Sequence, residues 1–192
     1  MLTDDERKLA QSKTMAILDE QRIAITADEA ANIEVVELGL GELERTGLQI
    51  ITYVNNDRYC AKELVLFPHQ TCPEHRHPPV GASPGKMETF RCRAGVVWLN
   101  VEGEPTANRK ATVPMGSEAY YTVFHEIELH PGDQFTIPAN TLHWFQAVGI
   151  VISPLVPVIR IPLSSVIEPQ LTAVTRSLFP IRHLLLIHTK MF

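Results

Sequence analysis

The sequence predicts a mainly β domain, a sandwich or barrel with α-helices from its N-terminal segment packed on the outside. Three observations carry this. From about residue 48 onward, short runs rich in β-branched and aromatic residues recur at 48–54, 63–67, 96–101, 125–129 and 134–138. Clusters of turn residues separate them, at Asn55-Asn56-Asp57, Pro78-Pro79, Glu102-Gly103-Glu104-Pro105 and His130-Pro131-Gly132-Asp133. Many short strands broken by frequent turns are the pattern of an all-β sandwich or barrel. The first 47 residues, by contrast, carry helix-start signals. No self-similarity at a period of roughly 20–50 residues marks a repeat architecture.

The elements follow in order. Thr3 and Glu6 are spaced as a capping box, with Ala10, Met15, Ile17 and Leu18 as the apolar positions of the helix that follows. A second box, Thr26 with Glu29, opens a short helix through about Ile33. Both helices are expected to bury apolar side chains against a sheet and to carry no chemistry. The strands then run to about residue 153. The tail differs in composition: residues 150–192 contain no Gly, Asp or Asn and a single acid, Glu168. The expected organisation is a helical segment over 1–47, a barrel over 48–153 and an atypical tail over 154–192.

Composition narrows the function. The 192 residues are 45% hydrophobic and 20% charged, enough for one domain with a real core. A net charge of -5 gives no basic footprint for nucleic acid. The opening MLTDDERKLAQSKTMAILDEQ lacks the apolar run of a signal peptide, and no stretch reaches the roughly 18 apolar residues of a membrane span. A cytoplasmic protein is expected. Three cysteines, Cys60, Cys72 and Cys92, without paired spacing read as buried, reduced thiols.

The chemistry is concentrated in Cys72-Pro-Glu-His-Arg-His77. On a strand, residues two apart project to one face, so His75 and His77 share a space. Glu88 follows where the strand pattern resumes after the loop 78–85, and His143 lies in the segment 137–145. Three imidazoles and one carboxylate suit a first-row divalent ion such as Mn, Fe, Co, Ni or Zn. Such a set leaves coordination positions open, as in a catalytic site.

These residues resemble the two cupin motifs. Five residues separate His69 from His75, six separate Glu88 from Gly95, and Gly132, Pro138 and His143 follow the second motif. His69 and Asn140 stand where that pattern has Gly, Ala147 stands where it has Asn, and ten residues rather than three or four separate His77 from Glu88. The resemblance implies a cupin double-stranded β-helix barrel, or jelly roll, with the long insert at its mouth. Over about residues 1–153 the chain further resembles the D-lyxose isomerases. The likeness is carried by the segments 38–49, 53–64, 72–79, 85–93, 101–106 and 136–147. It implies a homodimeric aldose–ketose isomerase that favours Mn(2+). Such an enzyme interconverts D-lyxose and D-xylulose, with D-mannose and D-fructose as a second pair, through a cis-enediolate.

The resemblance assigns Lys62 to a substrate oxygen or a proton relay, the alternative being a solvated strand lysine, with Lys86 as a second candidate. Trp144 and Phe145 either wall the substrate pocket or fill the barrel core. In the resembling enzymes a glutamate on the strand after the last histidine transfers the proton; here Ser153 is followed by Pro154. Prolines at 154 and 157 suit a central strand poorly. The expected explanation is a tail read in a shifted frame, with Glu126 or Glu74 as the substitute base. Two other readings are open to the same ligand set: a metal cupin that binds a sugar without turnover, and an iron cupin dioxygenase.

Overall fold

The computed structural model describes residues 2–56, 59–81, 84–148 and, as backbone, 150–157. Two helices lead, α1 (Asp4–Glu20) and α2 (Ala27–Ala31). Ten strands follow: β1 (Glu34–Val36), β2 (Leu48–Asn55), β3 (Tyr59–Leu66), β4 (Thr71–His75), β5 (Glu88–Ala94), β6 (Val97–Val101), β7 (His125–Leu129), β8 (Gln134–Ile137), β9 (His143–Ala147) and β10 (Ile150–Pro157). They form a six-stranded sheet in the order β1-β2-β3-β10-β5-β8 and a four-stranded sheet in the order β4-β9-β6-β7, with every strand pair antiparallel. This is the cupin barrel that the motifs imply.

Both capping boxes form. The Thr3 hydroxyl accepts from Glu6 N while the Glu6 carboxylate accepts from Thr3 N, and Thr26 and Glu29 repeat the exchange. Each box satisfies donors that a helix start leaves orphaned. Leu18 packs with Ile51 and Val65, and Ala10 with Val35 and Phe67, so α1 lies on the outer face of the larger sheet. Met15 departs from expectation: it is 40% exposed. The buried position falls on Thr14, whose hydroxyl donates to Ala10 O at 2.7 Å and needs no outside partner.

The barrel core joins inward residues of both sheets: Leu48, Ile50, Leu64, Leu66, Phe90 and Cys92 from one, Leu99, Val101, Leu129 and Phe145 from the other. The alternation of β5 is complete, with Glu88, Phe90, Cys92 and Ala94 buried and Arg91 and Arg93 exposed.

β10 begins at Ile150. It runs on to Pro157 and lies between β3 and β5. Pro154 is the register partner of Phe90, while the pairing with β3 skips Ser153 and Pro154 and resumes at Leu155↔Ala61. A proline has no N–H to donate, so a gap in one ladder is the expected mark of Pro154 in a central strand. Residues 158–192, and with them the expectation of a shifted reading frame, lie outside the described residues.

A feature with no strand signal connects β6 to β7. Residues 102–124 fold back over the outer face of the smaller sheet as a strap. Ala111, Tyr121 and Val123 bury themselves there against Trp144. Among the described residues no helix is long and apolar enough to cross a membrane.

All three cysteines are free and buried. Burial pushes every thiol up, that of Cys92 to about 11 and those of Cys60 and Cys72 also upward. Thiolates are the reactive species. Titration with a thiol-disulfide reagent at pH 8 is therefore expected to find no fast-reacting cysteine in the folded chain and three after unfolding in guanidinium. One fast-reacting thiol in the folded state would contradict this packing.

Candidate metal centre

Alternation alone would point His75 the wrong way. Cys72 faces the core, so a regular strand would turn residue 74 inward and residue 75 outward. The β4–β9 register shifts between Cys72 and His75: Cys72 pairs with Phe145, and His75 with His143. β4 thus uses two residues, Pro73 and Glu74, where β9 uses one, Trp144. This is a β-bulge, and it re-aims every side chain beyond it. Pro73, which has no ladder N–H to lose, sits where the pairing breaks. Beyond it His75 faces His143 across the ladder, with ring centroids 4.1 Å apart.

His77 lies two residues past the end of β4, not on the strand. Asn140 N donates to its carbonyl at 3.2 Å. Gly85, with φ of +97°, folds the insert back against the same carbonyl, where a Cβ would collide with His77 O. The two departures from the cupin glycines find their reason here. His69 and Asn140 adopt φ of 62° and 61°, the left-handed conformation that a glycine would supply and that Asn and His tolerate better than most residues. Glu88 opens β5 on the other sheet, so the two sheets meet at this cluster.

The expected ligands converge. One ligand atom from each of His75, His77, Glu88 and His143 lies within 4.8 Å of all the others. Ligand atoms bound to one ion at about 2.0–2.2 Å stand at most roughly 4.4 Å apart, close to this span. His77, Glu88 and His143 are 6%, 7% and 1% exposed. Glu88 Oε2 is 3.3 Å from His77 Nε2 and 3.6 Å from His143 Nε2, and its other oxygen, Oε1, is 2.8 Å from Lys86 Nζ. One oxygen therefore faces the imidazoles while the other is held by an ammonium.

His75 and His143 are set to bind through Nε2. His75 Nδ1 lies 2.8 Å from Pro73 O and His143 Nδ1 lies 2.9 Å from Thr141 O. A carbonyl only accepts, so each Nδ1 carries the hydrogen and leaves the Nε2 lone pair for a ligand. His143 Nε2 is buried with no hydrogen bond, an arrangement that is costly unless a cation uses it. Burial, helped by His143 and His77, holds His75 well below the ordinary imidazole range, and burial also lowers His77. Burial alone would raise Glu88, but His77, Lys86 and the facing imidazoles hold its carboxyl well below the usual range. Neutral imidazoles and an ionised carboxylate are the ligand forms of these groups. The donor set fits a first-row divalent ion.

Other expected residues fare differently. Phe145 faces inward but sits one step below His143, packed edge-on against Phe90 at 5.2 Å, so it floors the site as barrel core. Trp144 does not reach the pocket. Strand alternation turns it outward, and its Nε1 donates to Val123 O at 2.7 Å in the strap. Glu126 is not brought to the cluster either; its carboxylate accepts from Lys110 N and Ala111 N, both at 2.8 Å, on the outside of β7. Glu74 likewise faces outward and accepts from Thr122 N and Val123 N. Both carboxylates are thus taken up by backbone amides of the strap. Cys72 belongs to the core and not to the ligand set.

Lys62 is 7% exposed on β3, on the inward face that it shares with Leu64 and Leu66. Its ammonium makes no hydrogen bond or ion pair among the described residues. Glu34 escaped the sequence reading. Val36 packs on the barrel core, so Glu34, two residues earlier, shares that face. Its Oε1 accepts from Thr52 Oγ1 at 3.4 Å, and Thr52 pairs with Lys62. The charges of Lys62, Lys86, Glu88 and Glu34 all reach the Cys60 thiol, which gathers them near one end of the barrel. An acid two residues before a core valine was the available signal.

The chain is 64% identical over 147 residues to a D-lyxose/D-mannose isomerase of Thermosediminibacter oceani, covering 77% of this chain and 81% of that protein. It is 62% identical to a D-lyxose ketol-isomerase of Cohnella laeviribosi over 141 residues, 73% of this chain and 78% of that one. This chain belongs to the D-lyxose ketol-isomerase family. Members of the D-lyxose ketol-isomerase family are aldose–ketose isomerases, so the dioxygenase reading of the same ligands falls away. Among solved structures, the L-ribose isomerase of Cellulomonas parahominis with L-ribose superposes with a TM-score of 0.69 at 16% identity, over 90% of each chain. That of Geodermatophilus obscurus does so at 0.66 and 15%, over 84% and 87%. These structures share the fold. No family model matches the chain.

Replacing His77 with alanine is expected to lower bound divalent metal by more than about tenfold, measured by elemental analysis after dialysis, because one of four ligands is lost. Unchanged stoichiometry would remove His77 from the centre.

Proposed function

We propose that this chain interconverts D-lyxose and D-xylulose, and D-mannose and D-fructose as a second pair, with Mn(2+) held by His75, His77, Glu88 and His143. The observation that carries the reading is the convergence of those four side chains in a chain 64% identical to a D-lyxose/D-mannose isomerase. A divalent ion bound there supplies a Lewis acid that polarises the sugar carbonyl and stabilises enediolate charge.

The chain's own groups do the rest. Lys62, buried and without an ion pair among the described residues, donates to a substrate oxygen. Its buried ammonium is strengthened as a donor by the low surrounding dielectric. Lys86 holds Glu88 Oε1 and so keeps that carboxylate ionised and oriented. Phe90 and Phe145 close the floor beneath the ligands and exclude water from below. The reading also makes the chain a cytoplasmic homodimer of twice its 21.5 kDa, with a small sugar as its substrate.

One observation favours a second reading, a metal cupin that binds a sugar without turning it over. Glu126 and Glu74 are engaged on the outside of the barrel, and Pro154 occupies the strand on which the resembling enzymes carry their proton-transfer glutamate. A coupled assay for D-xylulose, run with D-lyxose on metal-free chain and after adding MnCl2, separates the two. Turnover that appears with Mn and vanishes with EDTA is the expected result. Mn binding without ketose formation from D-lyxose or D-mannose would favour the second reading.

A further inference from the structure

The bulge that turns His75 inward is held from outside the barrel. Pro73 and Glu74 face Trp144 across it, and both Glu74 and Trp144 reach the same two residues of the strap. The Glu74 carboxylate accepts from Thr122 N at 2.5 Å, Thr122 Oγ1 at 2.7 Å and Val123 N at 3.0 Å. Trp144 Nε1 donates to Val123 O at 2.7 Å. Glu74 is the chain neighbour of ligand His75, and Trp144 of ligand His143. A third tie lies one residue further on, where Glu102 Oε1 accepts from Leu142 N at 2.9 Å. The Thr122–Val123 peptide is thus a latch across β4 and β9 at the level of the histidines.

A carboxylate that gathers three donors is a strong and directional anchor. Here it anchors the residue on which the direction of His75 depends: without the extra residue, alternation would point His75 out of the barrel. The His75 ring also leans on the bulge itself, since Pro73 O takes its Nδ1 hydrogen.

We propose that Glu74 is a positioning residue for the metal centre: by gripping Thr122 and Val123 it holds the Pro73–Glu74 bulge in the register that presents His75 to the ion. This rests on the four converging residues being a metal centre. Glu126 supplies an internal control. It also clamps the strap through two backbone amides, those of Lys110 and Ala111, but it does so from β7, which bears no ligand.

The test compares the full chain with Glu74→Gln and Glu126→Gln, each stripped of metal and titrated with Co(2+). The readouts are the dissociation constant by calorimetry and the visible d–d absorption of the bound ion, neither of which requires turnover. Glu74→Gln is expected to weaken Co(2+) binding by about tenfold or more, the usual effect of removing a group that orients a ligand, and to alter the d–d bands. Glu126→Gln is expected to lower thermal stability while leaving affinity within about twofold and the spectrum unchanged. Should Glu74→Gln fail to fold, Trp144→Phe removes only the Nε1 hydrogen bond to the same latch and is expected to weaken Co(2+) several-fold. Equal affinities in Glu74→Gln and the parent chain, or equal losses in Glu74→Gln and Glu126→Gln, would overturn the positioning role while the metal centre stands. If Glu74→Gln does not fold, unchanged affinity in Trp144→Phe would overturn it. A parent chain that binds no ion would overturn the centre and this role with it.

Discussion

Side chains two apart on a strand share a face and side chains three apart do not. The cluster of His75, His77, Glu88 and His143 depends on one local breach of that rule. Cys72 and His75 are three apart and both face inward, because β4 carries one residue more than β9 between them. The rest of the site follows from that register: His75 meets His143, the turn beyond β4 brings His77 alongside, and β5 delivers Glu88 from the opposite sheet. A regular β4 would keep all four residues in the chain and lose the site.

Placing three imidazoles and a carboxylate together inside a barrel is costly unless their polar atoms are used. The structure limits the cost from several directions. Backbone carbonyls take the Nδ1 hydrogens of His75 and His143. Lys86 takes one oxygen of Glu88. What is left pointing to the centre is lone pairs and negative charge, of which the unbonded His143 Nε2 is the plainest case. The apolar layer of Phe90 and Phe145 beneath makes the site one-sided, closed below and approached from the end of the barrel where Lys62 and Glu34 gather.

The strap shows how the outward residues of the same strands are used. Trp144 follows His143 and Glu74 precedes His75, and from sequence alone the first reads as pocket wall or barrel core and the second as a substitute base. Alternation and the bulge turn both outward, where Trp144 joins a second small core with Tyr121 and Val123 and Glu74 accepts from Thr122 and Val123. On these two strands the residues next to His75 and His143 thus belong to the layer that packs against the strap. Glu126 belongs to that layer as well.

Much was determined by the sequence itself. The capping boxes at Thr3 and Thr26 are local, complete within four residues, and form as written. The strand runs report burial on alternate positions, and the His-x-His, Glu and His spacing reports ligand chemistry, since these residue types have few other uses inside a barrel. Left-handed backbone at His69 and Asn140 follows from their place in a glycine motif. Only the tertiary structure decided the rest. The bulge at Pro73–Glu74, the outward turn of Trp144, the strap over residues 102–124 and the inward face of Glu34 all depend on which strand lies alongside which. Pairing register is a relation between segments far apart in the chain, and no single segment carries it.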